Sequence, residues 1–90
     1  MTDLAALGYE RIKPLGSCVE SWRRVVSEGN ALIWVSRRGD GLWEVMASTS
    51  AQVEVDDEFE SAELAVKWGE EKAQQLLNEA AAQLAQKGRE

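Results

Sequence analysis

The sequence has no histidine, one cysteine, one proline and no long apolar run, and the shortages of histidine, cysteine and apolar runs each remove a class of function. Without histidine, the Ser-His-Asp and Cys-His triads, most zinc sites and the commonest general acid-base group are closed to the chain. The lone Cys18 has no second cysteine to pair with and no histidine to activate it. No stretch reaches the roughly 18 consecutive apolar residues of a membrane span, and Met1-Thr2-Asp3-Leu4 carries no basic segment leading into an apolar one. A cytoplasmic location without membrane contact is therefore expected. Basic residues are also scarce, 10 against 16 acidic ones, for a net charge of −6. Residues 1 to 45 carry six basic and six acidic side chains and residues 46 to 90 carry four and ten, so the second half holds the whole excess. Such a surface repels phosphate backbones and anionic lipid, and it suits a protein partner, above all a basic one.

What is present describes one ordinary globular domain over residues 1 to 90, with 44% apolar and 29% charged residues. Thr2 is placed to cap a single turn, Asp3 to Leu7, closed by Gly8, and the short stretch from Tyr9 to Lys13 is compatible with several conformations. Pro14-Leu15-Gly16-Ser17 reads as a turn. Residues 17 to 28 have two readings. Ser17 and Glu20 match a capping box, Cys18, Val19, Trp22, Val25 and Val26 recur at helical spacing and Gly29 supplies a stop, which favours a helix. The competing reading is a strand through Ser21 to Val26 turning at Gly29-Asn30.

Ala31 to Arg38 and Leu42 to Ser48 are β-rich runs joined by Gly39-Asp40-Gly41, a hairpin. Gln52 to Asp57 alternates Val53 and Val55 with Glu54 and Asp56, which predicts an edge strand with its valine face buried and its acidic face wet. Ser61 to Lys87 reads as a helix with Ser61 as N-cap and Gly88 at the far end. Its apolar stripe gathers Ala62, Ala65, Val66, Gly69, Ala73, Leu76, Leu77, Ala80 and Leu84. The small residues let the helix approach a sheet bearing bulky tryptophans, with Gly69 beneath a large side chain. The expected class is therefore α+β: an antiparallel meander of three or four strands against a long C-terminal helix, with α-β-β-β-α order if the first helix forms.

Three groups of residues offer function. Glu54, Asp56, Asp57, Glu58, Glu60 and Glu63 put six carboxylates into ten residues with no basic side chain among them. They suit a docking surface that imitates phosphate for a basic protein groove, or simply a solvated strand edge. Leu64 and Trp68, four apart and turned away from the helix stripe, either extend that surface or curl over the sheet edge as satellite core. Arg23, Arg24, Arg37 and Arg38 with Trp34 are the alternative, able to stack bases and hold phosphates if they are not consumed in salt bridges. Both faces of the hairpin carry large apolar residues, so the side away from the helix needs the 17-to-28 segment, a partner or a second copy to cover it, and a homodimer is one outcome. No catalytic residue, metal ligand set or cofactor motif is evident.

The order helix, three strands, helix resembles the double-stranded-RNA-binding domain, and Ala62-Glu63-Leu64-Ala65-Val66-Lys67-Trp68-Gly69 is similar to its final helix. That family opens this helix with a lysine cluster, where Glu60-Ser61-Ala62-Glu63 stands here, so the acids argue against RNA binding. Without the first helix, the meander followed by a helix resembles the arm-binding domains of phage integrases, whose basic sheet this chain largely lacks. In size, acidity and absence of chemistry the chain resembles the small inhibitor proteins of phages and mobile elements, anti-CRISPR proteins among them. That resemblance implies a non-enzymatic protein-binding module that blocks a nucleic-acid-handling host complex.

Overall fold

Apolar and polar residues alternate through the centre of the chain, and the alternation sets two sheet faces. Ile33 and Val35 in β3 (Ala31–Arg37) and Val45 and Ala47 in β4 (Trp43–Ser48) point to one side and are fully buried. Leu32, Trp34 and Met46 point to the other. In the computed structural model, which describes residues 3 to 87, these two strands lie inside a five-stranded antiparallel sheet. The strands β1 (Glu10–Ile12), β2 (Glu20–Val26), β3, β4 and β5 (Val53–Phe59) stand in chain order, and α1 (Ala62–Lys87) follows. The expected α+β meander with a long C-terminal helix is the fold, with five strands. Thr2, Gly88 and the side chain of Leu84, which entered the reading of the termini and stripe, lie outside the described residues.

The helix expected over residues 17 to 28 does not form. Glu20–Val26 is β2, which pairs with β3 from Glu20 opposite Arg37 to Val26 opposite Ala31. A short 3-10 turn, Ser27–Gly29, makes the connection. The physical reason lies in β3, whose buried backbone needs strand partners on both edges; β4 satisfies one and only β2 is placed to satisfy the other. The pairing is reinforced by Arg37 Nε donating to Glu20 Oε1 at 2.7 Å, and by Ser21 and Ser36 hydroxyls 2.9 Å apart in the sheet interior. The α-β-β-β-α order, and with it the topological likeness to the double-stranded-RNA-binding domain, is therefore absent.

Helix α1 begins where Ser61 Oγ accepts the Leu64 N–H at 3.2 Å, the expected N-cap. It packs Ala65, Val66, Gly69, Ala73 and Leu76 onto β3 and β4, with Leu77 beside them. A Cβ added at Gly69 would stand 2.9 Å from both Ile33 Cγ2 and Val45 Cγ2. The close approach is thus to two β-branched aliphatic side chains and not to a tryptophan. At the N-terminus, Asp3 Oδ1 accepts the Ala6 N–H, and Gly8 (φ 91°) closes a single turn. The Gly8 N–H to Ala5 and Tyr9 N–H to Leu4 bonds are those of a Schellman motif, and its apolar pair, Leu4 and Tyr9, joins the core.

Strand β5 departs from simple alternation. Trp43 pairs with Phe59 while Val45 pairs with Asp56, so β5 accommodates an extra residue, and Glu58 takes a left-handed φ of 68° there. The bulge turns Phe59 onto the helix side, where its ring lies 6.2 Å from that of Trp68. Upstream of it, Val53 and Val55 stand opposite Ser48 and Met46 on the far face, 60% and 61% exposed. The valine face predicted to be buried is open, because α1 occupies the opposite side of the sheet. Among the described residues no helix is long and apolar enough to cross a membrane.

Candidate protein-interaction surface

The six carboxylates follow the free margin of the sheet. Glu54 and Asp56 stand on the helix side of β5, opposite Ala47 and Val45. Asp57 and Glu58 occupy the bulge, Glu60 the turn and Glu63 the first turn of α1, and all six are exposed. Because β5 is the last strand, no strand among the described residues lies beside its outer backbone edge. Among the described residues one ion pair touches this run, Arg38 NH1 to Asp57 Oδ2 at 3.7 Å, and no group of three or more carboxylate or thiol side chains is placed to hold a metal ion. Leu64 is exposed beside the run. Trp68 takes the satellite-core alternative: it is half-buried against the core and Phe59, with Lys72 Nζ 5.5 Å from its ring centre.

The arginines do not assemble into one patch. Arg23 lies on the open face in register with Trp34, and its NH2 is 3.6 Å from Glu10 Oε2. Arg24 points to the helix side and pairs with Glu70, which also accepts the Tyr9 hydroxyl at 3.1 Å. Burial, then Glu70, hold the Tyr9 phenol well above its ordinary range. Arg37 meets Glu20 at 2.7 Å, and Arg38 meets Asp40 at 2.8 Å as well as Asp57. Each of the four guanidinium groups faces a carboxylate of the chain, and the four are divided between two faces and a turn.

Sequence reasoning located the acidic edge and a second apolar face of the hairpin, but left open whether the 17-to-28 segment, a partner or a second copy covers that face. With residues 20 to 26 in the sheet, no second helix among the described residues covers the far face. A row runs across it from Arg23 through Trp34 and Met46 to Val55, with Val25, Leu32, Ser48 and Val53 in the next row. Trp22, Trp43 and Trp68 pack against the core on the helix side, which leaves Trp34 as the tryptophan of the open face. The signal was present in the sequence as the two-faced apolar hairpin.

Part of this face is roofed by residues 15 to 18. The Leu15 N–H donates to Ser21 Oγ at 2.9 Å, the Val19 N–H to the Arg37 carbonyl at 2.8 Å, and the Cys18 thiol to Glu44 Oε1 at 2.8 Å. Burial and the Glu44 carboxylate push the Cys18 thiol up to about 11, so at neutral pH it is protonated and a poor nucleophile. Between this loop and the sheet runs a groove of about 310 Å³, lined by Leu15, Trp34, Ser36, Glu44, Met46 and Val55.

No protein-family model, curated protein or solved structure matches the chain. The geometry of the chain itself presents an acidic free edge continuous with an apolar open face.

Proposed function

We propose that the chain is a non-enzymatic protein-binding module that presents the β5 edge and the adjoining open face to a basic surface of a larger protein, as an inhibitor of a nucleic-acid-handling host complex does. The observation that carries the reading is the juxtaposition on β5. Val53 and Val55 are exposed on one side and Glu54 and Asp56 on the other, with Asp57, Glu58, Glu60 and Glu63 continuing the charge. Exposed apolar area supplies affinity, while the carboxylates steer the approach and select a cationic partner. A surface that normally holds phosphate is such a partner, which is the sense of the anti-CRISPR-like reading. Binding of nucleic acid through Arg23, Arg24, Arg37, Arg38 and Trp34 is disfavoured, since those arginines already face Glu10, Glu70, Glu20, Asp40 and Asp57.

The test is a charge-reversal comparison at matched net charge. The partner retained from a lysate is purified and titrated with the native protein, with a variant reversing Asp56, Asp57 and Glu58 to lysine, and with a control reversing the exposed Glu28, Glu71 and Glu79. The β5 variant loses at least about tenfold in affinity and its salt dependence flattens, while the control stays near native. Equal behaviour of the two variants, or tight binding of a nucleic-acid duplex at physiological salt, contradicts the reading.

A further inference from the structure

Resting on the protein-binding reading, we infer that the groove between the 15-to-18 loop and the open face is a receptor for a single arginine side chain of the partner. Its walls are apolar: Leu15 from the loop, and Trp34, Met46 and Val55 aligned across three strands. Glu44 supplies the carboxylate, with Ser36 and Ser17 hydroxyls in the same lining. An arginine has a three-methylene stem that favours apolar walls, a guanidinium face that stacks on an indole, and a fork of N–H donors that matches a carboxylate. The groove offers all three elements within about 310 Å³, a volume that accepts one such side chain.

Charge decides the occupant. An ionised carboxylate has about four acceptor positions, and in Glu44 the Cys18 thiol uses one of them. Among the described residues no basic side chain forms an ion pair with Glu44: Arg23, Arg37 and Arg38 are turned to Glu10, Glu20 and the Asp40 and Asp57 pair. In the larger hollow near the start of α1, between Trp22 and Trp43, the Trp22 ring already carries the Arg11 guanidinium 5.9 Å from its centre and Glu20 is paired with Arg37, while Asp3, Glu60 and Glu63 of its lining have no ion pair among the described residues. A neutral apolar side chain would leave Glu44 without a counter-charge, and an acidic one would be repelled by it and by the neighbouring β5 run.

The probe is blocked arginine, Nα-acetyl-arginine N-methylamide, compared with its uncharged citrulline isostere by heteronuclear NMR on the native chain. The arginine probe is expected to move the Trp34 indole N–H and the Glu44, Met46 and Val55 amides saturably in the millimolar range. Citrulline binds at least about tenfold more weakly. Glu44→Gln, and Val55→Lys at a position exposed enough to leave folding untouched, each lower the arginine affinity by about tenfold or more, with the remaining amide spectrum unchanged. Equal responses to arginine and citrulline, native affinity in either variant, or shifts confined to the β5 carboxylates or to the Trp22 and Trp43 hollow overturn the assignment. If it fails while reversal of Asp56, Asp57 and Glu58 still weakens the partner complex, the groove falls alone. If the β5 reversal is silent while arginine still binds, the functional reading falls and the site stands.

Discussion

Gly69 shows how one residue sets the distance between the two layers. The helix approaches β3 and β4 so closely that a Cβ would meet Ile33 and Val45 at 2.9 Å, and both neighbours are β-branched and stiff at χ1. Gly69→Ala gains about 1 kcal/mol of helix propensity but must push the layers apart, at a cost of about 1 to 3 kcal/mol. Net destabilisation is the expected outcome, read in thermal unfolding as a fall of about 4 to 8 °C per kcal/mol. Cys18 makes a second prediction at this scale. A thiol raised to about 11 in the folded chain favours the protonated form, so its stabilising share is whole below the unfolded thiol range and is lost as pH rises through about 11. Alkylation at mildly alkaline pH should therefore be slow in the native protein and fast in denaturant, and Glu44→Gln should accelerate the native reaction; equal native and denatured rates would contradict the placement. Gly69 was legible in the sequence as a small-residue position in an apolar stripe. The Cys18 to Glu44 bond was not, because it spans a loop and two strands that no local pattern links.

Among the elements, β2 is the instructive one. Cys18, Val19, Trp22, Val25 and Val26 satisfy a helical period, yet the same stretch supplies aromatic and β-branched residues to a strand. Local periodicity cannot weigh the unpaired edge that β3 would otherwise carry, and that edge decides the outcome. The β3 and β4 hairpin and α1, by contrast, were readable because turn glycines, alternation and the Ser61 cap all agree. For β5 the alternation was legible and its orientation was not, since a strand's own pattern does not say which sheet face the helix will take. The ties between β2 and β3 can be tested directly. Ser21 and Ser36 form a buried hydroxyl pair, and Ser21 also accepts the Leu15 N–H. Either serine to alanine strands a polar group and costs about 1 to 3 kcal/mol, and the double variant loses less than the sum in chemical denaturation. The Glu20 carboxyl is held below its usual range by Arg37, with the Trp22 indole N–H second. Its contribution is present above the unfolded glutamate range and disappears as pH falls through the depressed value, so Glu20→Gln should flatten the acid limb of the stability curve.

At the scale of the molecule, the fold leaves two kinds of surface unsatisfied by the chain itself. The helix closes one sheet face and the other stays open, with Trp34, Met46, Val53 and Val55 on it and six carboxylates along the adjacent edge. Two copies meeting edge to edge through β5 would bring like charges together, so self-association by that route is opposed and a basic partner is favoured. A second copy stacked on the open face would instead double the mass in light scattering and protect Trp34 without any partner. The most direct test of the account is an amide hydrogen-exchange footprint of the purified partner complex against the free protein. Protection confined to β5, the turn into α1 and the open-face residues of β3 and β4 is the predicted result. Protection on the outer side of α1, around Glu71, Gln74 and Asn78, with β5 and Trp34 unchanged, would contradict it.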